Sequence, residues 1–287
     1  MKLGAVFPQI EIGADPVAVR DYAQAAEALG FDHIIAFDHV LGANPASRPD
    51  WRGAYSHQDM FYEPFVLFGY LAACTTTIEL TTAIIILPQR QTALVAKQSS
   101  VADVLSGGRL RLGVGLGWNE MEYEALGAGF HNRGKRMEEQ VEVLRKLWAD
   151  PLVTYEGQWH RITDAGLNPL PVRRDIPLWM GGEADAVMRR TARLADGWFP
   201  RLKSGDDGRA AIEKFHGLVG EAGRDIADIG IERWTYMSER TPDQWAEDVA
   251  DWTAAGGSHI SLYTIRAGYK GPAEHIEAIR RYKEALG

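Results

Sequence analysis

An acid and an imidazole adjoin at Asp38-His39, directly after the β-rich run 33–37. Histidine titrates near neutral pH, so at a strand end it can give or take a proton, and a neighbouring carboxylate can orient it. A lone loop histidine more often just bonds backbone; the pairing with Asp38 makes His39 the candidate acid–base group. Glu120 is the candidate second acid, in an acidic turn with Glu122 and Glu124 just past the run 110–114. Gly115 and Gly117 flank Leu116 after that same run. Missing side chains there would let a flat ring approach the backbone closely, and Trp118 could wall the pocket. Gly181-Gly182 precede a helical pattern over 185–194 and offer backbone N–H groups at a positive helix end, an anion seat suited to phosphate.

Other chemistries find no pattern. The eight histidines show neither HxH nor HExxH spacing and there is a single cysteine, Cys74, so no metal site is expected. No GxSxG elbow occurs. The paired Gly115 and Gly117 lack the third glycine of a dinucleotide fingerprint, and Gly181-Gly182 lack the Lys-Ser/Thr of a nucleoside-triphosphate loop.

The elements that must hold these residues alternate along the chain. Apolar, β-rich runs fall at 3–7, 33–37, 79–87, 110–114, 177–180, 197–199, 229–236 and 259–263. Helical patterns lie between them at 17–29, 65–74, 92–105, 132–148 and 185–194, with a closing helix over 273–285 and a small hairpin over 152–162. Eight strand signals, most followed by a helix, specify an α/β fold of the (β/α)8 TIM-barrel type more than an open doubly wound sheet. Residues just past each strand then share one mouth, which gathers Asp38-His39, Glu120, Trp118 and both glycine pairs. Residues 38–61 and 118–131 are long for plain connections and read as insertion segments that act as lids. With no linker or composition shift, residues 1–287 are expected to form one domain.

Hydrophobic residues make up 46% and charged residues 24% of the 287, an ordinary globular balance. A net charge of −8 argues against nucleic acid or an anionic membrane as partner. No apolar run approaches the length of a membrane span, the N-terminal run is short for a signal peptide, and one cysteine suits a reducing compartment, so a soluble cytoplasmic protein is expected.

Several stretches together carry a family resemblance. They are Ala26-Glu27-Ala28-Leu29-Gly30-Phe31-Asp32, Asp38-His39, Leu105-Ser106-Gly107-Gly108-Arg109 running into Gly113-Val114-Gly115-Leu116-Gly117-Trp118, Arg133-Gly134-Lys135-Arg136-Met137-Glu138-Glu139, Pro177-Leu178-Trp179-Met180-Gly181-Gly182 and Ala195-Asp196-Gly197-Trp198. In that order the chain resembles the luciferase-like monooxygenase superfamily of flavin and deazaflavin oxidoreductases, and looks most like its F420-dependent subgroup. The resemblance implies a ring bound near Asp38, Thr82, Ala83, Gly115, Gly117 and Trp118, with the phosphate at Gly181 and Gly182. It further implies a histidine matching His39 at the ring's reactive carbon, a non-proline cis peptide near Thr82-Ala83, and a homodimer. Around Gly117-Trp118-Asn119-Glu120 the sequence departs from the family's sugar-phosphate dehydrogenase, so that substrate is not carried over.

The resulting expectation is hydride transfer between F420 and a small organic substrate, with His39 managing the proton and Asp38 orienting it or holding the ring's polar edge. An FMN-dependent monooxygenase on the same fold is the alternative reading. A non-catalytic flavin-binding barrel is a third, since fold alone does not guarantee activity.

Overall fold

Parallel pairing of short apolar strands organises the chain, as seen in a computed structural model that describes residues 1–202 and 205–287. From the N-terminus, β1 (Lys2–Val6), α1 (Pro16–Ala28), β2 (His33–Ala36) and α2 (Pro64–Cys74) lead to β3 (Glu79–Thr82) and β4 (Ile85–Ile86). Next come α3 (Thr92–Ser106), β5 (Leu110–Gly115), α4 (Glu120–Ala125) and α5 (Arg133–Ala149). A side hairpin of β6 (Val153–Glu156) and β7 (Arg161–Ala165) precedes β8 (Leu178–Gly181), α6 (Asp185–Leu194) and β9 (Gly197–Phe199). The chain closes through α7 (Asp206–Glu221), β10 (Gly230–Tyr236), α8 (Pro242–Ala254), β11 (His259–Tyr263) and α9 (Pro272–Leu286).

The sheet order is β3-β2-β1-β11-β10-β9-β8-β5-β4, and β3 also pairs with β5, so the sheet closes on itself. β3 and β4 are two parts of one stave, both paired to β5 and interrupted at the cis peptide Ala83–Ile84. That bond lies one residue beyond the expected Thr82-Ala83. Counting that stave once gives eight parallel strands among the described residues, a (β/α)8 barrel with insertions. Asp15 caps α1 by accepting the Val17 amide, and Gly107, at φ 68°, ends α3 in the left-handed conformation that glycine adopts without strain.

Helices lie outside the barrel, and side chains from alternate strand positions fill it. At the end opposite the mouth this filling is ionic. His33 Nε2 lies 2.6 Å from Glu232 Oε1, Arg111 donates to Glu232 (2.7 Å) and to Glu79 (2.6 Å), and the Ser261 hydroxyl donates to Glu232. Burial works against the charge on Glu232, but His33 and Arg111 hold its carboxyl far below the usual range. Trp179 roofs this layer, its ring 4.2 Å from the Arg111 guanidinium. Gly197 and Gly230 make room for it: a Cβ at either would fall 2.1 or 2.3 Å from the indole. Among the described residues, no helix is long and apolar enough to cross a membrane.

Candidate active site

Gln9, buried after β1, fixes the end of β2. Its amide donates to the Phe37 carbonyl (3.0 Å) and accepts the Phe37 N–H (2.9 Å), so the following Asp38-His39 leave the strand at a set angle. Asp38 turns away from its neighbour. One carboxylate oxygen accepts the Ile86 amide (3.0 Å) and the pair of them accepts Arg90 (2.7 and 3.3 Å), which also reaches Glu63 (2.8 Å). The orienting role expected of Asp38 toward His39 is therefore corrected: these bonds tie β2 to the segment after β4 and to the start of α2. Asp38 still lines the cavity at the mouth.

The carboxylate that meets His39 comes from α4. Glu122 Oε2 lies 3.6 Å from His39 Nδ1, and Oε1 accepts the amides of Val40 (2.5 Å) and Leu41 (3.0 Å). Glu122 is fully buried, and its burial favours the neutral acid; the nearby His39 ring and the amides of Leu41 and Val40 outweigh this and hold its carboxyl below the usual range. Glu120, the expected second acid, is 65% exposed and has His131 3.9 Å away. The correction has a helical cause. Residues two apart on a helix point about 200° apart, so when Glu122 faces inward Glu120 faces solvent.

Rings surround the imidazole: Phe61 at 4.7 Å, Tyr55 at 5.0 Å and Trp118 at 5.9 Å between centroids. His39, Tyr55 and Trp118 stand between two cavities. The one at the barrel mouth, about 280 Å³, is walled by Phe37, Ala83, Ile84, Gly117, Trp234 and Tyr263, with Arg201 and Tyr236 at its edge. The other, about 300 Å³, lies under the 38–61 insertion and is more polar, with Ser56, His57, Asp59 and Asn119 in its walls. Burial raises the phenol pKa of Tyr236 and Tyr263, so both face the first cavity as neutral hydrogen-bond donors.

The remaining expected residues divide. Ala83, Gly117 and Trp118 line the mouth cavity. Thr82 does not: it is buried, its hydroxyl donating to the Gly113 carbonyl (2.8 Å) and accepting the Gly113 amide (2.9 Å). Gly115 is covered by Ile84, whose Cδ1 would lie 2.6 Å from a Cβ there. The bare backbone expected at Gly115 thus serves Ile84, which also packs on Gly181, and it is Ile84 that meets the cavity. Gly182 donates its amide to Phe199 (3.3 Å) and accepts Trp198 Nε1 (2.7 Å), so its own N–H is engaged rather than bare. Beyond it, Glu183 takes the Arg201 amide (2.6 Å) and Asp185 takes Lys214 (2.6 Å) at the start of α6.

Gln9, Arg90 and Glu122 were not singled out from sequence. Each carried a signal by position: Gln9 and Arg90 stand just past strand runs, and Glu122 is a member of the acidic turn.

The barrel that carries this mouth, with His39 at the wall of the cavity, is matched by the family model of luciferase-like monooxygenases across residues 3–286. The chain belongs to the luciferase-like monooxygenase family. This family member is 36% identical over 238 residues to an uncharacterized protein of Mycobacterium tuberculosis, covering 79% of this chain and 82% of that one. Its fold is similar to that of monooxygenase RslO1 from Streptomyces bottropensis, with a TM-score of 0.81 at 19% identity over 100% of this chain and 98% of that one. The coenzyme F420 dependent tetrahydromethanopterin reductase of Methanopyrus kandleri also shares the fold, with a TM-score of 0.77 at 16% identity over 99% and 98% of the two chains. Membership of the luciferase-like family places the chain among oxidoreductases.

Proposed function

We propose that this luciferase-like protein is an F420-dependent oxidoreductase that moves a hydride between the deazaflavin and a small organic substrate. The observation that carries the reading is His39, held at the cavity wall by the buried Glu122 carboxylate. When bound, the deazaflavin supplies a two-electron hydride donor or acceptor whose carbon, in place of the flavin redox nitrogen, disfavours oxygen chemistry.

The residues present suit such a ring. Ala83, Ile84 and Ile86 offer an apolar face beside Gly117, and Phe37 and Trp234 also line the cavity. Trp234 Nε1 is a buried donor with no partner among the described residues, available to a polar ring edge. Asp38 lies at the same cavity. The phosphate is assigned to the start of α6 beyond Gly181-Gly182, with Arg201 alongside; Glu183 must release Arg201 to admit it.

His39 holds the proton. With Nδ1 toward Glu122, the imidazole keeps Nε2 to give to or take from the substrate, and the carboxylate stabilises the imidazolium. The aromatic rings of Tyr55, Phe61 and Trp118 pack around it. An FMN-dependent monooxygenase is the rival, favoured by the likeness in fold to monooxygenase RslO1. The non-catalytic alternative is opposed by the buried Glu122–His39 pair, an arrangement that a passive binder does not require.

A homodimer is also proposed. α2 is apolar around its circumference, yet Val66 is 73% exposed, and Leu94 and Leu105 of the adjoining α3 are exposed too. Such a helix belongs under a partner.

Replacing His39 with Ala tests the central role. Turnover with F420 is expected to fall about 10²- to 10⁴-fold while ring binding persists. Unchanged single-turnover rates with intact binding contradict it.

A further inference from the structure

Arg266 stands three residues past β11 with φ 61°, in the left-handed region that an arginine seldom adopts. The turn is held from below: the Arg266 amide donates to Glu11 Oε1 (2.9 Å), and Glu11 Oε2 lies 3.1 Å from the buried His275. The side chain then crosses to the 38–61 insertion. Its guanidinium donates to the Ala54 carbonyl (2.8 Å), lies 3.6 Å from the Asp59 carboxylate and sits 5.4 Å from the Tyr55 ring centroid.

What it grips is the outer wall of the site. Ala54 and Tyr55 both line the mouth cavity, and Tyr55 is one of the rings against His39. Around the grip, the insertion is held mainly by its own turns: His57 to Ala43, Trp51 Nε1 to the Tyr55 carbonyl, and Ser56 to Asp59. Internal turns shape the loop, and beside Arg266 its ties to the barrel near the grip are made by rings, Tyr55 bonding Tyr263 and Trp51 packing on Trp118.

We propose that Arg266 is a positioning residue, a latch that holds the 53–59 segment of the insertion over the mouth and sets how Tyr55 closes the pocket on His39. The left-handed backbone aims the side chain, Glu11 keeps that backbone in place, and the planar guanidinium spans carbonyl, carboxylate and ring together. The role rests on the proposed reading only in taking the mouth cavity as the substrate site.

Limited trypsin digestion of the whole protein, read by mass spectrometry, tests the latch without cofactor or turnover. Arg52-Gly53 is a cleavable bond in the gripped region, whereas Arg48 is followed by Pro49 and resists. Asn tolerates the left-handed conformation but cannot reach the loop, so Arg266→Asn keeps the turn and removes the grip. Cleavage after Arg52 is expected to quicken about tenfold in Arg266→Asn, in step with the open population, with Tm unchanged. Arg266→Lys, which keeps a charge for Asp59 but loses the planar fork, is expected to recover only part of the protection. An unchanged Arg52 rate, no recovery with lysine, or faster cleavage at all sites with a lowered Tm overturns the proposal. None of these outcomes depends on which cofactor binds, so the latch and the proposed reaction fail separately.

Discussion

Glu122 Oε2 lies 3.6 Å from His39 Nδ1 while its other oxygen accepts the amides of Val40 and Leu41, so one buried carboxylate fixes both the imidazole and the chain leaving it. The charge on Glu122 is what joins the two tasks. Glu122→Gln keeps the shape and removes the charge, so the imidazolium loses its stabilising partner. Turnover should fall on the order of tenfold or more. Unchanged turnover would set Glu122 aside as purely structural.

The same group has a pH consequence for the fold. Its carboxyl is depressed in the folded state, so its contribution is present above the ordinary value of 4.5 and lost as pH falls through the lower folded value. The buried His275 and the half-buried His259 act in the same direction at higher pH. Burial lowers His259 to about 3 and His275 to about 4, so the folded protein keeps both neutral while the unfolded chain protonates them below about 6.5. Stability should decline from pH 6.5 toward pH 4, as measured by urea midpoints, and His259→Gln should flatten the decline. A midpoint independent of pH over that window contradicts this.

Breaking the Asp38–Arg90 pair should be expensive. Asp38 is buried and receives Arg90 at 2.7 Å, so Arg90→Met strands a carboxylate beneath the mouth. A loss of about 3 kcal/mol in denaturant unfolding is expected. Asp38→Asn should cost less, because an amide oxygen can still accept the Ile86 N–H.

Gly115→Ala tests the packing under the ring site. A Cβ there meets Ile84 Cδ1 at 2.6 Å. The substitution should cost about 1–3 kcal/mol by overpacking and push Ile84 into the cavity, weakening ring binding. Trimming the neighbour, in Gly115→Ala with Ile84→Val, should return part of both. Binding and stability equal to wild type in Gly115→Ala would remove Ile84 as the cavity floor.

Strand placement was legible where an apolar run is closed by glycine, proline or a polar pair, and less so at the three residues Gly197-Trp198-Phe199 and in the charged run 229–236. The helix α7 was not, since Gly208, Gly217 and Gly220 interrupt its pattern and glycine is a poor helix former. His39 could be found because its strand end locates it. Its partner could not be chosen between Glu120 and Glu122 without the rotation of α4, and Asp38's partner Arg90 is 52 residues away. The ionic layer of Glu79, Arg111 and Glu232 was hidden for a related reason. Charges in a strand suggest solvent, and only barrel closure turns them toward each other.

The cofactor decides the reaction class, so parallel fluorescence titrations of the protein with F420 and with FMN test the central claim most directly. Low-micromolar or tighter binding of F420, with FMN weaker by about tenfold or more (about 1.4 kcal/mol), is expected. Low-micromolar FMN binding with no binding of F420 would contradict it.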